Sequence, residues 1–297
     1  MLRSGFVAPA VLTRHLALFL SILLLLGACD GGSADGEVSD IAIESVADSD
    51  DTTTTTSPFS TTTTVVTIPP SYVPLLDEPP PFEEVAITTE DGVDLYARYW
   101  VGGSVAVLAG HDFHTRTDAN DGDQPQSSES LLWWTGPLAN AGYTVLSPDY
   151  RGHGHSPEDP SVRNSPVDLK AAYQFLADAG YEKIVMAGFV GSGTAAVVLD
   201  ATDEEVNFDG IAMIWSAPQE VGLDAQHVLY GIDAPVYVVG FDVPVLERWA
   251  KLMSLEVDDL YDLFIYPQAP NGTQFVDAFG EEFVGRLLDF VSYVASS

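Results

Sequence analysis

An α/β domain, with a mainly parallel central sheet flanked by helices and no large cap domain, is the fold class that residues 82–297 predict. Three observations carry this. Strand-like and helix-like segments alternate along the stretch, which is the pattern of a right-handed wound sheet. At its centre, Lys183 to Thr194 reads KIVMAGFVGSGT. Here the apolar run Ile184 to Ala187 fits a strand buried on both faces, and a glycine-rich turn then opens a second apolar run, Ala195 to Leu199. Finally, only about twenty residues separate Trp215 from Ala234, too few for a large cap. The length, about 215 residues, suits one sizeable core.

Each element follows from local chemistry. Glu84 to Thr88 and Val93 to Trp100 flank Glu90-Asp91-Gly92, an opening hairpin with a D-G turn. Ser104 to Ala109 is the next strand. Ser130 to Ala141 reads as a helix closed by Gly142. Thr144 to Pro148 is a strand, followed by the loop Asp149 to Ser156, DYRGHGHS. Ser165-Pro166 starts a helix through Ala179, serine as N-cap and proline at the first helical position. After the central strand and its helix come strands at Gly210 to Trp215, Ala234 to Gly240 and Leu260 to Tyr266. An amphipathic helix, Glu281 to Val294, closes the chain.

The N-terminal part has a different character. Residues 1–28 hold Arg3 and Arg14, no acid, and an apolar run from Leu16 to Leu26 that suits a signal-peptide core. That run ends in Leu26-Gly27-Ala28-Cys29, which resembles the bacterial lipobox. The resemblance implies cleavage before Cys29, its lipidation, and an exported protein anchored to the outer face of the cell membrane. Cys29 is the single cysteine, so no intramolecular disulfide can form. Residues 29–81, with Thr52 to Thr56, Thr61 to Thr64 and Pro79-Pro80-Pro81, have the composition of a flexible tether that cannot bury enough apolar surface to fold.

Net charge is −33, from 11 Lys and Arg against 44 Asp and Glu. So acidic a chain argues against nucleic acid as a partner, because its phosphates would be repelled. It argues equally against direct docking on anionic lipid.

The turn at 188–193 aligns with the pattern G-x-S-x-G, Gly188 first and Val190 at the tip. DYRGHGHS matches D-x-R-G-x-G-x-S. From about Glu83 to Ser297 the chain resembles the α/β-hydrolases, closest to their capless serine-aminopeptidase and dienelactone-hydrolase-like members. That resemblance implies a nucleophile at Val190, a base after the last strand, an acid after the strand before it, and oxyanion donors after the third strand. Valine has no lone pair or proton to give, so it cannot form an acyl-enzyme. Where relatives read P-G-A-x-H-G-T, this chain reads Pro267-Gln268-Ala269-Pro270-Asn271-Gly272-Thr273, with Asn271 in the histidine position. No histidine follows His227. Asp242 is left as a remnant acid or a loop aspartate.

The oxyanion segment, usually H-G-F-G-G, reads His111-Asp112-Phe113-His114-Thr115, and a carboxylate at Asp112 opposes a developing oxyanion. His111, Asp112 and His114 supply at most three metal ligands and no spacing motif supports them, so neither metal nor cofactor is expected. Ser192 is either an alternative nucleophile or a small helix-start residue. A β-branched tip predicts that the turn relaxes through Gly188, Gly191 and Gly193, or keeps its strain by tight packing. Val190, Asn271, His111 and Asp242 are expected to converge at the carboxyl ends of the strands. Taken together, the residues predict a membrane-anchored pseudoenzyme that binds a small ligand or an envelope protein. The competing reading is an active esterase or peptidase using rearranged residues such as Ser192.

Overall fold

The computed structural model describes residues 71–113, 127–157, 165–220, 222–241, 257, 259–266 and 272–297. All belong to one compact unit, Val65–Ser297. Cys29, His114, Asp242 and Asn271 lie outside the described residues, as do the signal segment and the tether up to residue 70.

β1 (Glu83–Thr88) and β2 (Asp94–Trp100) form an antiparallel hairpin, register Thr88↔Asp94. Gly92 takes φ 84° in its turn, which a glycine adopts without a Cβ clash. β3 (Val105–Gly110) leads, through a 3₁₀ turn at Ser128–Leu131, to α1 (Leu132–Asn140). β4 (Thr144–Pro148), α2 (Ser165–Asp178), β5 (Lys183–Phe189), α3 (Gly191–Thr202) and β6 (Gly210–Ile214) follow. Among the described residues between β6 and the next long strand lie a ribbon, β7 (Gln219–Glu220) with β8 (Leu223–Asp224), and two 3₁₀ turns. β9 (Val236–Phe241), β10 (Leu260–Tyr266) and α4 (Gly272–Ser296) complete the unit.

The sheet has eight strands in the order β1-β2-β4-β3-β5-β6-β9-β10. From β4 to β10 all pairings are parallel, while β2 is antiparallel to both neighbours. The central strands are apolar on both faces because both faces are covered. Ala106, Leu108, Met186 and Ile211 face one cluster that includes Leu169 and Ala172 of α2 and Val197 of α3. Val107, Val185 and Ala212 face the other, with Trp134 of α1 and Phe283, Leu287 and Phe290 of α4. Among the described residues no helix is long and apolar enough to cross a membrane.

Two boundaries differ from the sequence reading. α4 begins at Gly272, not Glu281. Gly272 and Gly280 make the first turns poor helix formers in isolation. Packing overrides that weakness: Phe275 lies 4.9 Å from Trp215 and 5.0 Å from Tyr266, ring centre to ring centre. The second difference is at the domain start. Ser71 to Pro81, assigned by composition to the tether, lies against α1 and α4, with Val73 and Leu75 packed on the second core cluster. Composition cannot register these contacts because their partners lie far along the chain.

Candidate functional site

The carboxyl end of β5 runs into α3 through a corner that allows no bulk. A Cβ on Gly188 would collide with the backbone of Gly193, and one on Gly193 with the Ser216 side chain. Val190 sits at the tip with φ 46° and ψ −112°, half-buried, its N–H donating to the Ile214 carbonyl at 2.8 Å. Of the two sequence alternatives, strain rather than relaxation is found. A β-branched residue with positive φ costs on the order of 1–3 kcal/mol and persists only where its surroundings over-determine it. Next to it, after β6, Trp215 also has positive φ, 55°, with its N–H on the Val239 carbonyl at 2.8 Å.

The segment after β3 closes over this corner. His111 is fully buried. Its Nδ1–H donates to the Asp112 carbonyl at 2.6 Å, because a carbonyl can only accept, and Nε2 then accepts the Tyr150 N–H at 3.0 Å. Burial, and secondarily the nearby His153 ring 5.1 Å away, lowers its pKa to about 4. His111 is therefore neutral near pH 7 with both nitrogens occupied, so it offers no base and no metal ligand. Phe113 is buried, and its ring tip lies 2.7 Å from where a Cβ on Gly191 would stand. Asp112 is buried beside it. Among the described residues no group of three or more His, Cys, Asp or Glu could hold a metal ion.

Ser192 is fully buried. Its hydroxyl donates to the His111 carbonyl and is hydrogen-bonded to the Tyr150 hydroxyl at 3.0 Å. This arrangement opposes the alternative nucleophile reading: the proton is held by a carbonyl that cannot carry it away, and both ring nitrogens of the adjoining His111 are already engaged. Ser192 is a tie between α3 and the segment after β3.

The loop after β4 supports that tie. Arg151 lies in a clasp, with Nη2 2.7 Å from Asp168 and Nη1 2.7 Å from Asp91. The Arg151 hydrogen bonds hold the Asp91 carboxyl far below the usual carboxylate range. Burial pushes Asp168 up despite the same guanidinium. Asp149 is buried, which alone would raise it, but N–H bonds from His155 (2.8 Å) and Ser128 (2.6 Å) bring it below its ordinary value. Tyr150, between Asp149 and Arg151, is thereby placed against His111 and Ser192.

No family model matches this chain. Among solved structures, an esterase of Pyrococcus furiosus superposes with a TM-score of 0.58 at 16% identity, over 76% of this chain and 98% of that one. An α/β hydrolase from Penicillium sp. sh18 gives 0.56 at 15% identity, over 73% and 100% of the two chains. An esterase from Exiguobacterium antarcticum gives 0.55 at 15%, over 71% and 100%. The fold is that of the α/β-hydrolases.

In an α/β-hydrolase the strand-to-helix corner presents the nucleophile on a strained turn. Here that corner keeps its strained backbone and carries Val190. Of the residues singled out in the sequence, Val190, His111, Asp112, Phe113 and Ser192 lie together at the carboxyl ends of β3 and β5. The convergence of Asp242 and Asn271 on them falls outside the described residues. Sequence reasoning missed Tyr150, Asp91 and Asp168. Asp168 stands three residues after Ser165, which the sequence reads as an N-cap, so the acid reads as a capping partner, and only the fold turns it toward Arg151.

The strain at the tip is open to a direct test. In an ordinary helix or strand position glycine is less stable than alanine. At position 190 the order is expected to invert, with Val190→Gly more stable than Val190→Ala by about 1 kcal/mol in urea denaturation, because alanine keeps a Cβ at positive φ. The usual order would mean that the turn is relaxed in solution.

Proposed function

We propose that this protein is an exported, lipid-anchored pseudoenzyme of α/β-hydrolase fold, which binds a small ligand or an envelope protein in or over the cleft at the carboxyl ends of its strands. The observation that carries the reading is Val190 at the corner, in the backbone conformation of a nucleophile but without an attacking atom. Two further features support it. His111, at the end of the neighbouring strand, has both ring nitrogens engaged. Asn271 occupies the position that the resemblance to α/β-hydrolases assigns to a histidine, and an amide accepts no proton near neutral pH. Anchoring rests on Cys29 in Leu-Gly-Ala-Cys after a signal-like apolar run.

The test uses the full-length chain in native membranes. A fluorophosphonate probe is expected to leave it unlabelled under conditions that label a control serine hydrolase. Labelling that disappears in Ser192→Ala would reverse the proposal in favour of an active hydrolase. In detergent phase partitioning, Cys29→Ser is expected to move the protein to the aqueous phase; unchanged partitioning removes the anchor.

A further inference from the structure

Glycine is among the poorest helix formers, yet α4, 25 residues long, carries Gly280 and Gly285 in its interior. Both face the segment ahead of β1. A Cβ on Gly285 would overlap the backbone carbonyl of Ser71. A Cβ on Gly280 would meet the Leu75 side chain at 3.0 Å, and one on Gly136 of α1 would meet Pro79 at 3.5 Å. Hydrogen bonds run along the same line. Ser71 Oγ donates to the Asp289 carboxylate at 3.0 Å, and the Val73 N–H to the Glu281 carbonyl at 3.1 Å. The Trp100 indole N–H donates to the Pro80 carbonyl at 2.9 Å. Val73, Leu75 and Phe82 pack on the core face shared by α1 and α4, and Phe82 meets the Trp100 ring edge-on at 5.2 Å.

We infer that Gly136, Gly280 and Gly285 form a binding groove whose occupant is residues 71–82 of this same chain, held as a strap that sets where the chain joins the domain. The groove fits an extended apolar segment whose backbone comes into direct contact with a helix. Bulk on the helix side is what it excludes.

The direction of α4 gives the strap its consequence. Phe275, near its start, faces Trp215 just after β6. Val294, near its end, packs on Gly210 at the start of β6 and accepts a hydrogen bond from Lys183, at the start of β5, at 2.6 Å. The helix thus runs from the carboxyl ends of the strands back to their amino ends. Ser71 contacts Gly285 and Asp289, roughly 15–20 Å along the axis from Phe275 at 1.5 Å rise per residue. The strap therefore begins at the end of the domain remote from Val190. Under the anchored reading proposed above, on which this consequence rests, the tether joins the domain there and not beside the corner.

Amide hydrogen exchange on the full-length chain in detergent tests the strap. Val73 is expected to exchange at least about a hundredfold more slowly than in a synthetic peptide spanning residues 71–82. Gly285→Ala should speed that exchange at least about tenfold while β3 and β5 stay protected. It should also lower Tm, whereas a glycine facing solvent in a helix gains stability when changed to alanine. Leu75→Asp, which alters the strap and leaves α4 intact, should release Val73 equally, and it decides the matter if Gly285→Ala unfolds the whole domain. Exchange at Val73 as fast as in the free peptide, or slow exchange untouched by Leu75→Asp, overturns the inference. Cys29→Ser separates the two proposals: if it leaves the membrane bound and Val73 slow, the anchor fails and the strap stands.

Discussion

Restoring serine and histidine together, as Val190→Ser with Asn271→His, is expected to yield at most weak turnover of an activated ester, and either change alone none. Members of a triad act as a unit, so the loss of nucleophile or base alone costs roughly six orders of magnitude. The backbone favours the repair in one respect. With φ 46° and ψ −112° already in place, a serine at position 190 would start from the conformation such a nucleophile uses. The surroundings oppose it. Asp112 is a buried carboxyl in the segment that should supply oxyanion donors, and the Phe113 ring presses on Gly191, the first residue of α3. Adding Asp112→Gly should therefore raise the rate of the double variant. p-Nitrophenyl acetate hydrolysis reads all four proteins. Activity in Val190→Ser alone would show that another group serves as base.

Arg151→Met is expected to cost about 3–5 kcal/mol of folding free energy, the usual penalty when one partner of a buried ion pair is removed. The Arg151 side chain is 1% exposed and its partner Asp168 is fully buried, so the carboxylate left behind has neither water nor a cation. Asp91, 42% exposed, adds little to that penalty. The sign of the pH dependence follows from Asp168. Burial already raises its pKa, and removing the guanidinium raises it further. A raised folded-state pKa gives stability that is present below the unfolded value and lost as pH rises through the folded one. The deficit of Arg151→Met should thus be largest near neutral pH and shrink as pH falls toward 4. Urea denaturation at several pH values measures it, and a deficit under about 1 kcal/mol at neutral pH would mean that the clasp is not needed for stability.

The strands were legible because their two faces are uniformly buried, so short apolar runs such as Val105–Gly110 and Lys183–Phe189 mark themselves. The start of α4 was not, since its glycines read locally as loop and it takes distant rings such as those of Trp215 and Tyr266 to hold Phe275 in a helix. The β7–β8 ribbon was missed because two-residue strands carry no period. The strap was missed for a related reason: Val73 and Leu75 are too sparse to signal burial, and their partners are more than two hundred positions away, as with Ser71 and Asp289, 218 apart.

The sequence by itself determined what the side chains at positions 190 and 271 can do. That a valine cannot attack and an asparagine cannot accept a proton follows from the side chains alone, whatever fold surrounds them. What the remaining groups do was decided by tertiary structure. The Ser192 hydroxyl is bound by a carbonyl 81 residues earlier, and His111 is neutralised by burial and capped by an N–H 39 residues later. Protonation, accessibility and backbone strain depend on which distant atoms supply hydrogen bonds and exclude water, and those atoms meet only when the sheet closes.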